Sequence, residues 1–404
     1  VTTVFTGSWT PEDRAESLYR HLEFEVPEGA PGVLVELHYD KTATAALDVG
    51  LSDPNGFRGW SGSARKRVAI GPSRATPGYV RGDVVAGTWA VELGLHRVPP
   101  AGLPYEITVS FVDGTEPEAA PPSEDSVSVM RERLPAPVGF EWLAGDLHVH
   151  SEHSDGTETV AAVALRAARA GLDFVVVGDF NTVSHFRDVD EAAGRSGIRV
   201  IPAQTVAIDT GHALVVGSPD WVDLRIEPAV WAAEVWARGG VISANHPVKA
   251  DSGWICPLPR PVDLAEIWSG NWDRRHRAPL AWWMAAGESV APVGGSGWTG
   301  QDGSVELASP VTWVLAEGDD VLGALRAGRT AVSASVDGPL LLRDGEDLVA
   351  LRATGCDLVH WDGRREPIEA EHQRIPGPHP AFLHDDSDRV VALCGAHRPD
   401  ATRR

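Results

Sequence analysis

Asp146-Leu147-His148-Val149-His150-Ser151-Glu152-His153-Ser154-Asp155-Gly156 decides how this chain is read. The stretch closes a short apolar run that begins near residue 141. A helical pattern follows at about 158–170, with Val160, Val163, Ala164 and Ala167 on one face and Gly171 just past its end. His148 and His150 are two apart, so on a strand both imidazoles point to the same face. They lie at the strand's C-terminal end, where the active sites of β/α barrels form. Two imidazoles on one face make a good divalent-metal site. Asp155 falls on the following loop and can supply an oxygen. A His-x-His pair alone reads as two ordinary surface histidines. The strand, the Ser-Asp-Gly turn and the helix behind it favour a functional origin.

Downstream, apolar runs at 174–177, 200–201, 213–216, 241–244, 264–268 and 290–293 alternate with helical stretches such as 228–237. This βα alternation predicts a parallel sheet closed as a barrel over 141–336. Upstream the texture differs. Residues 1–113 show period-two runs at 33–38 and 105–111, separated by turns such as Asp53-Pro54-Asn55-Gly56. They predict a β-sandwich or jelly roll. Residues 114–140, rich in Pro and Glu, read as a linker. Residues 337–404 read as a small β-rich C-terminal appendage. The fold class is therefore α/β with β modules at both ends.

A chain of 404 residues can hold two or three domains. Lys and Arg number 35 against 57 Asp and Glu, so the net charge of -22 repels nucleic acid and anionic membranes. No apolar stretch is long enough to cross a bilayer. Val1-Thr2-Thr3-Val4 shows no secretory pattern, and three cysteines without CxxC spacing give no disulfide framework or zinc knot. A cytoplasmic location is expected. No phosphate-binding loop, dinucleotide fingerprint or Gly-x-Ser-x-Gly elbow is present. Of 15 tryptophans, ten lie between Trp221 and Trp313.

The opening stretch resembles the first motif of the polymerase and histidinol phosphatase (PHP) superfamily of metal-dependent hydrolases. The resemblance continues, in order, through Gly178-Asp179-Phe180-Asn181-Thr182, Ile201-Pro202-Ala203-Gln204-Thr205-Val206, Gly211-His212-Ala213, Ala244-Asn245-His246-Pro247, Glu266-Ile267-Trp268-Ser269-Gly270 and Gly294-Gly295-Ser296-Gly297-Trp298-Thr299. It looks closest to the branch of carbaryl-type carbamate and amide hydrolases. It implies a distorted (β/α)7 PHP barrel whose site holds two or three divalent metals that activate a bridging hydroxide. His148, His150 and Asp155 match the first motif, and His212 and His246 match later histidine positions.

Three departures bear on chemistry. Phe180 stands where the family has His, Thr205 where a Glu bridges two metals, and Gly297-Trp298-Thr299 where the family has Asp-x-His. Without the bridging carboxylate a multinuclear cluster is poorly supported. One ion (zinc, manganese or iron) on His148 and His150 stays compatible, with a third ligand from Asp155, Asp179 or His246. A metal-free pocket with acid–base histidines is a second reading, and a barrel without catalysis a third. In the hydrolytic reading Asp179 or His246 orients the water or shuttles its proton. Glu266 faces the pocket as a general base or pairs with an arginine. Phe180, Thr205, His212 and Trp298 line the substrate pocket, the two aromatics as an apolar wall.

The expected partner is a small organic substrate, an amide, carbamate or ester, and a homo-oligomer is compatible with the composition. The rival functions are a lyase or cyclase, and a non-catalytic binding protein. His153 is expected in a supporting or exposed position, Asp209 as a loop acid and Cys256 as a partly buried loop thiol. Arg274-Arg275-His276-Arg277 reads as a solvated helix face.

Overall fold

The computed structural model describes residues 2–116, 133–270, 272, 276–301, 303 and 305–396. Most of the expected linker, and Arg274 and Arg275 of the basic run, lie outside the described residues. The chain divides into two compact units. The first holds Val1–Pro121 together with two later segments, Glu152–Asp155 and Asp179–Arg187. The second holds Pro122–Ser151, Gly156–Gly178 and Asp188–Arg404.

In the first unit the elements run β1 (Thr2–Trp9), α1 (Pro11–Glu16), β2 (Tyr19–Val26), β3 (Val33–His38), β4 (Ala46–Asp53), β5 (Gly56–Trp60), β6 (Arg67–Ile70), β7 (Gly87–Arg97) and β8 (Leu103–Ser110). They form two antiparallel four-stranded sheets, β1-β8-β3-β6 and β2-β7-β4-β5. Alternation explains the core. Val33, Val35 and Leu37 of one sheet and Val91, Leu93 and Leu95 of the other turn inward, with Phe24, Leu47 and Ile107, into a single apolar cluster. Each such side chain contributes about 1.5–3 kcal/mol on burial.

The second unit continues with β9 (Phe140–Val149), α2 (Val160–Arg169), β10 (Phe174–Phe180), α3 (Val189–Ser196), β11 (Arg199–Ile208), β12 (Gly211–Val216), α4 (Pro228–Ala237), β13 (Val241–Asn245), β14 (Leu264–Ser269), α5 (Arg277–Ala286), β15 (Ala291–Gly295), β16 (Val311–Glu317), α6 (Val321–Arg326) and β17 (Thr330–Ser333). Its C-terminal strands are β18 (Leu340–Asp344), β19 (Asp347–Leu351), β20 (Asp357–His360), β21 (Arg365–Pro367), β22 (His372–Pro376), β23 (Ala381–His384) and β24 (Val390–Cys394). The large sheet runs β15-β14-β13-β12-β11-β10-β9-β16-β17-β24-β23-β20-β21, while β18-β19-β22 form a separate small sheet.

The expected all-parallel order is corrected in its middle. β9/β10, β13/β14 and β14/β15 are parallel, but β11/β12 and β12/β13 are antiparallel. The cause is local: Ile208 pairs with Gly211, so Asp209 and Thr210 form a two-residue reversal, and Gly211 takes a φ of 131°. The segment after β15 returns to the end of β9, where Gly297 N–H donates to the His148 carbonyl (2.8 Å) and His150 N–H to that of Trp298 (3.0 Å).

Both faces of these strands are covered. Val160, Val163, Ala164 and Ala167 of α2 pack with Ala144, Val175 and Val177 on one side. Leu143, Phe174, Val176, Leu214, Val241, Leu264 and Val293 fill the other. Two-sided burial explains the unbroken apolar run Phe174-Val175-Val176-Val177. The α2 helix begins where Thr159 accepts the Ala162 N–H (3.2 Å). Thr159→Ala is expected to cost about 1 kcal/mol in urea unfolding. No described helix is long and apolar enough to cross a membrane. The three cysteines are free and buried.

Candidate functional site

One face of the second unit's strands changes from apolar to polar along its length. Val216 pairs with Val241, Leu214 with Ser243 and His212 with Asn245. On neighbouring strands Thr205 follows Ala203 by two residues, and Glu266 follows Leu264 by two. A period of two therefore carries the apolar cluster's own face into Thr205, His212, Ser243, Asn245 and Glu266. All of these are buried except His212, which is partly buried.

His148, His150, His212 and His246 gather at this polar end. Ring centroids are 5.1 Å apart for His148 and His150, 5.6 Å for His148 and His246, and 5.1 Å for His212 and His246. Glu266 organises them. Its two oxygens each lie 3.0 Å from His148 Nδ1, and Oε2 accepts the His246 N–H at 2.9 Å. Its partner is thus a histidine rather than an arginine. Burial pushes the Glu266 carboxyl up, but His148 and His246 outweigh it and leave it below its ordinary value. Burial, reinforced by His246 and His148, lowers His212 to about 2. Burial lowers His246 to about 4 against the opposing pull of Glu266. Both imidazoles are therefore neutral at pH 7.

His246 has a φ of 32°, an unusual conformation for a side-chain-bearing residue, and such strain collects at functional sites. His246 Nδ1, Asn245 Nδ2 and Ser243 Oγ are buried and find no hydrogen-bond partner among the described residues. Beneath the cluster, Asp146 is completely buried. It accepts the N–H groups of His148 (3.1 Å), Ser296 (3.0 Å) and Ala308 (3.1 Å), and burial raises its pKa. Gly295 lies so close to His148 that a Cβ there would meet His148 Cβ at 2.3 Å and its backbone nitrogen at 2.9 Å.

The other expected site residues are placed differently. Trp298 packs in the core on the α2 side with Val149 and Val160, and the Arg166 guanidinium sits 5.4 Å from its ring centre. The Trp298 side chain joins the apolar cluster of the helix-covered face. Thr205 donates its hydroxyl to the Gly178 carbonyl (2.7 Å). Asp155, Asp179 and Phe180 belong to the first unit. There Asp179 accepts the Ser154 hydroxyl (2.6 Å) and meets His185 Nδ1 at 3.3 Å, while Asp155 and Phe180 are partly exposed. His153 is buried, with Nδ1 2.7 Å from Ser184 Oγ. Cys256 is a buried thiol whose pKa is raised by burial.

Sequence reasoning missed Asp146, Ser184 and His185. Asp146 carried a signal, since it lies two residues before His148. His185 and Ser184 carried none, because their partners are set by loop folding.

The implied metal can be weighed against this donor set. Four imidazoles, two of them held neutral and one with an unpartnered buried Nδ1, suit a single ion that favours nitrogen ligands. They do not suit a carboxylate-bridged pair. Thr205 spends its hydroxyl on a carbonyl, and both Glu266 oxygens face His148 and the His246 N–H. Among the described residues no group of three or more His, Cys, Asp or Glu side chains is placed to hold an ion as it stands, so a coordination shell is not preformed.

No protein-family model matches the chain, and no curated protein does. Several solved structures align with it, three of them as follows. One is a two-domain protein from Bacteroides vulgatus, described as containing a PHP-like metal-dependent phosphoesterase, at 15% identity and TM-score 0.43 over 68% of this chain and 100% of its own. A second, from Bifidobacterium adolescentis and described as a metal-dependent phosphoesterase, aligns at 18% identity and TM-score 0.34 over 45% of this chain and 95% of its own. The third, an amidohydrolase from Chromobacterium violaceum with sulfate bound and no metal, aligns at 15% identity and TM-score 0.31 over 40% and 89%. Likenesses this loose decide nothing about the site, whose chemistry rests on its own residues.

Proposed function

We propose that this chain is a hydrolase that cleaves an amide, carbamate or ester of a small organic molecule at the histidine cluster of the second unit. The observation that carries this reading is the Glu266–His148 pair set among three further imidazoles. A carboxylate on Nδ1 fixes the ring and its tautomer and leaves Nε2 as the working nitrogen. His148, His150 and His246 would hold one zinc, manganese or iron ion. When bound, such an ion lowers the pKa of a water and polarises the substrate carbonyl. Neutral His246 has the protonation state a ligand needs. His212, held neutral far below pH 7, would contribute a hydrogen bond to the bound substrate and not a proton relay. Asn245 Nδ2 and Ser243 Oγ, buried without partners, would address the oxygen of the bound substrate.

Metal content and hydrolysis test this together. Protein produced with zinc, manganese and iron supplied is expected to carry about one ion per chain and to cleave a panel of nitrophenyl esters, nitroanilides and aryl carbamates. His148→Ala with His246→Ala is expected to weaken metal retention by about 10–100-fold or more and to abolish turnover. Folded protein that binds none of the three metals and cleaves nothing in the panel would overturn the reading. A second reading, metal-free acid–base catalysis, rests on the same Glu266–His148 pair, in which a buried carboxylate orients the imidazole. Turnover that survives chelation but is lost in Glu266→Gln selects it.

A further inference from the structure

The first unit contains a polar cluster that the histidine site does not use. Arg65, between β5 and β6, donates from Nη1 to the Ser154 carbonyl (3.1 Å) and from Nη2 to the Glu152 carbonyl (2.5 Å). One guanidinium fork thus spans two alternate carbonyls of the segment Glu152–Asp155. Gly78, between β6 and β7, touches both later segments. Its N–H approaches His153 Nδ1 at 3.4 Å, and its carbonyl accepts the Thr182 hydroxyl at 2.8 Å. No side chain fits at Gly78: φ is 98°, and a Cβ would lie 2.9 Å from the His153 carbonyl oxygen. The two segments are joined in turn by Ser154 to Asp179 (2.6 Å) and His153 to Ser184 (2.7 Å), while His185 closes on Asp179 at 3.3 Å.

His153, Ser154, Asp179, Thr182, Ser184 and His185 are all buried. Polar side chains in that position must be satisfied, or each costs about 1–3 kcal/mol. Here partners come from strands and loops some 75–104 residues away in the chain. We infer that the N-terminal β unit is the scaffold of the two segments that carry Asp155 and Asp179, and that Arg65 is its principal positioning residue. Arg65 acts through the Glu152 and Ser154 carbonyls. Ser154 then holds one Asp179 oxygen while His185 meets the other, so the carboxylate is aimed from the β unit. This role does not depend on whether an ion binds at the histidine cluster.

Hydrogen–deuterium exchange of the full chain, read by mass spectrometry, tests the assignment. In Arg65→Ala, peptides covering 152–155 and 179–187 are expected to exchange about tenfold faster, with β2 and β7 as protected as before. Arg65→Lys is expected to restore part of the protection, because an ammonium can still donate to one carbonyl. Thr182→Val keeps side-chain shape, removes the hydroxyl's bonds to Gly78 and to Ser184 within the same segment, and is expected to loosen 179–187 alone. Unchanged exchange in both segments across these variants overturns the inference. So does a uniform rise over all peptides in every variant, Thr182→Val included, since that marks a role in global stability only. If Arg65→Ala fails to fold, the Lys and Val variants decide by the same criteria.

Discussion

Asp146→Ala is expected to lose about 3–6 kcal/mol of unfolding free energy, enough to leave much of the second unit unfolded at 37 °C. The carboxylate is completely buried and receives three backbone N–H groups, from His148 on β9, Ser296 after β15 and Ala308 before β16. These three segments are far apart in sequence and share this one acceptor group. Alanine leaves three buried donors without a partner, at about 1–3 kcal/mol each, partly offset by relaxation and entering water. The side chain is itself costly to bury, which is why its pKa is raised, so the loss falls below the full sum. Asp146→Asn keeps one acceptor and puts a donor in place of the other, so it should fall between alanine and the parent. Urea unfolding followed by tryptophan fluorescence measures the series. An alanine variant within about 1 kcal/mol of the parent would sink the account.

Acidification of chelator-treated protein from pH 7 to pH 5 is expected to cost about 2–4 kcal/mol of stability. His246 is lowered to about 4 and His212 to about 2 in the folded chain, from an ordinary 6.5. Between those values the unfolded chain binds protons that the folded chain refuses, so unfolding free energy rises with pH. The contribution is fully present above about pH 6.5 and is lost as pH falls towards the folded values. Glu266, lowered in the folded state, adds a loss of the same sign below its ordinary value. Asp146, raised by burial, opposes both, because its folded form takes up a proton first. His212→Gln and His246→Gln should each flatten the dependence between pH 7 and 5 in urea titrations. Stability independent of pH over that interval would refute the neutral-imidazole picture.

The helices and strands of the second unit were legible because their signals are local. The helix expected at 228–237 is Pro228–Ala237 as observed, and the apolar run at 264–268 lies inside β14. Strand direction was not legible in the same way. The reversal at Asp209-Thr210-Gly211 was present in the sequence but was outweighed by the βα alternation around it. The packing of Trp298 was not legible either: the indole lies in the apolar cluster of the helix-covered face, among residues brought to it by the fold.

His148 and His150 were readable because a spacing of two on a strand is a geometric statement. Glu266, 118 residues from His148, was readable as a residue facing inward but not as the partner of that ring. The sequence alone determined the element order, the apolar faces and the His-x-His pair, all of which follow from periodicity over a few residues. Only the tertiary structure decided that Asp146 joins three segments, that Glu266 holds His148 and that Arg65 grips Glu152–Asp155. Those bonds link groups tens to hundreds of residues apart, and burial alone, by removing water as a partner, forces such groups to find one another.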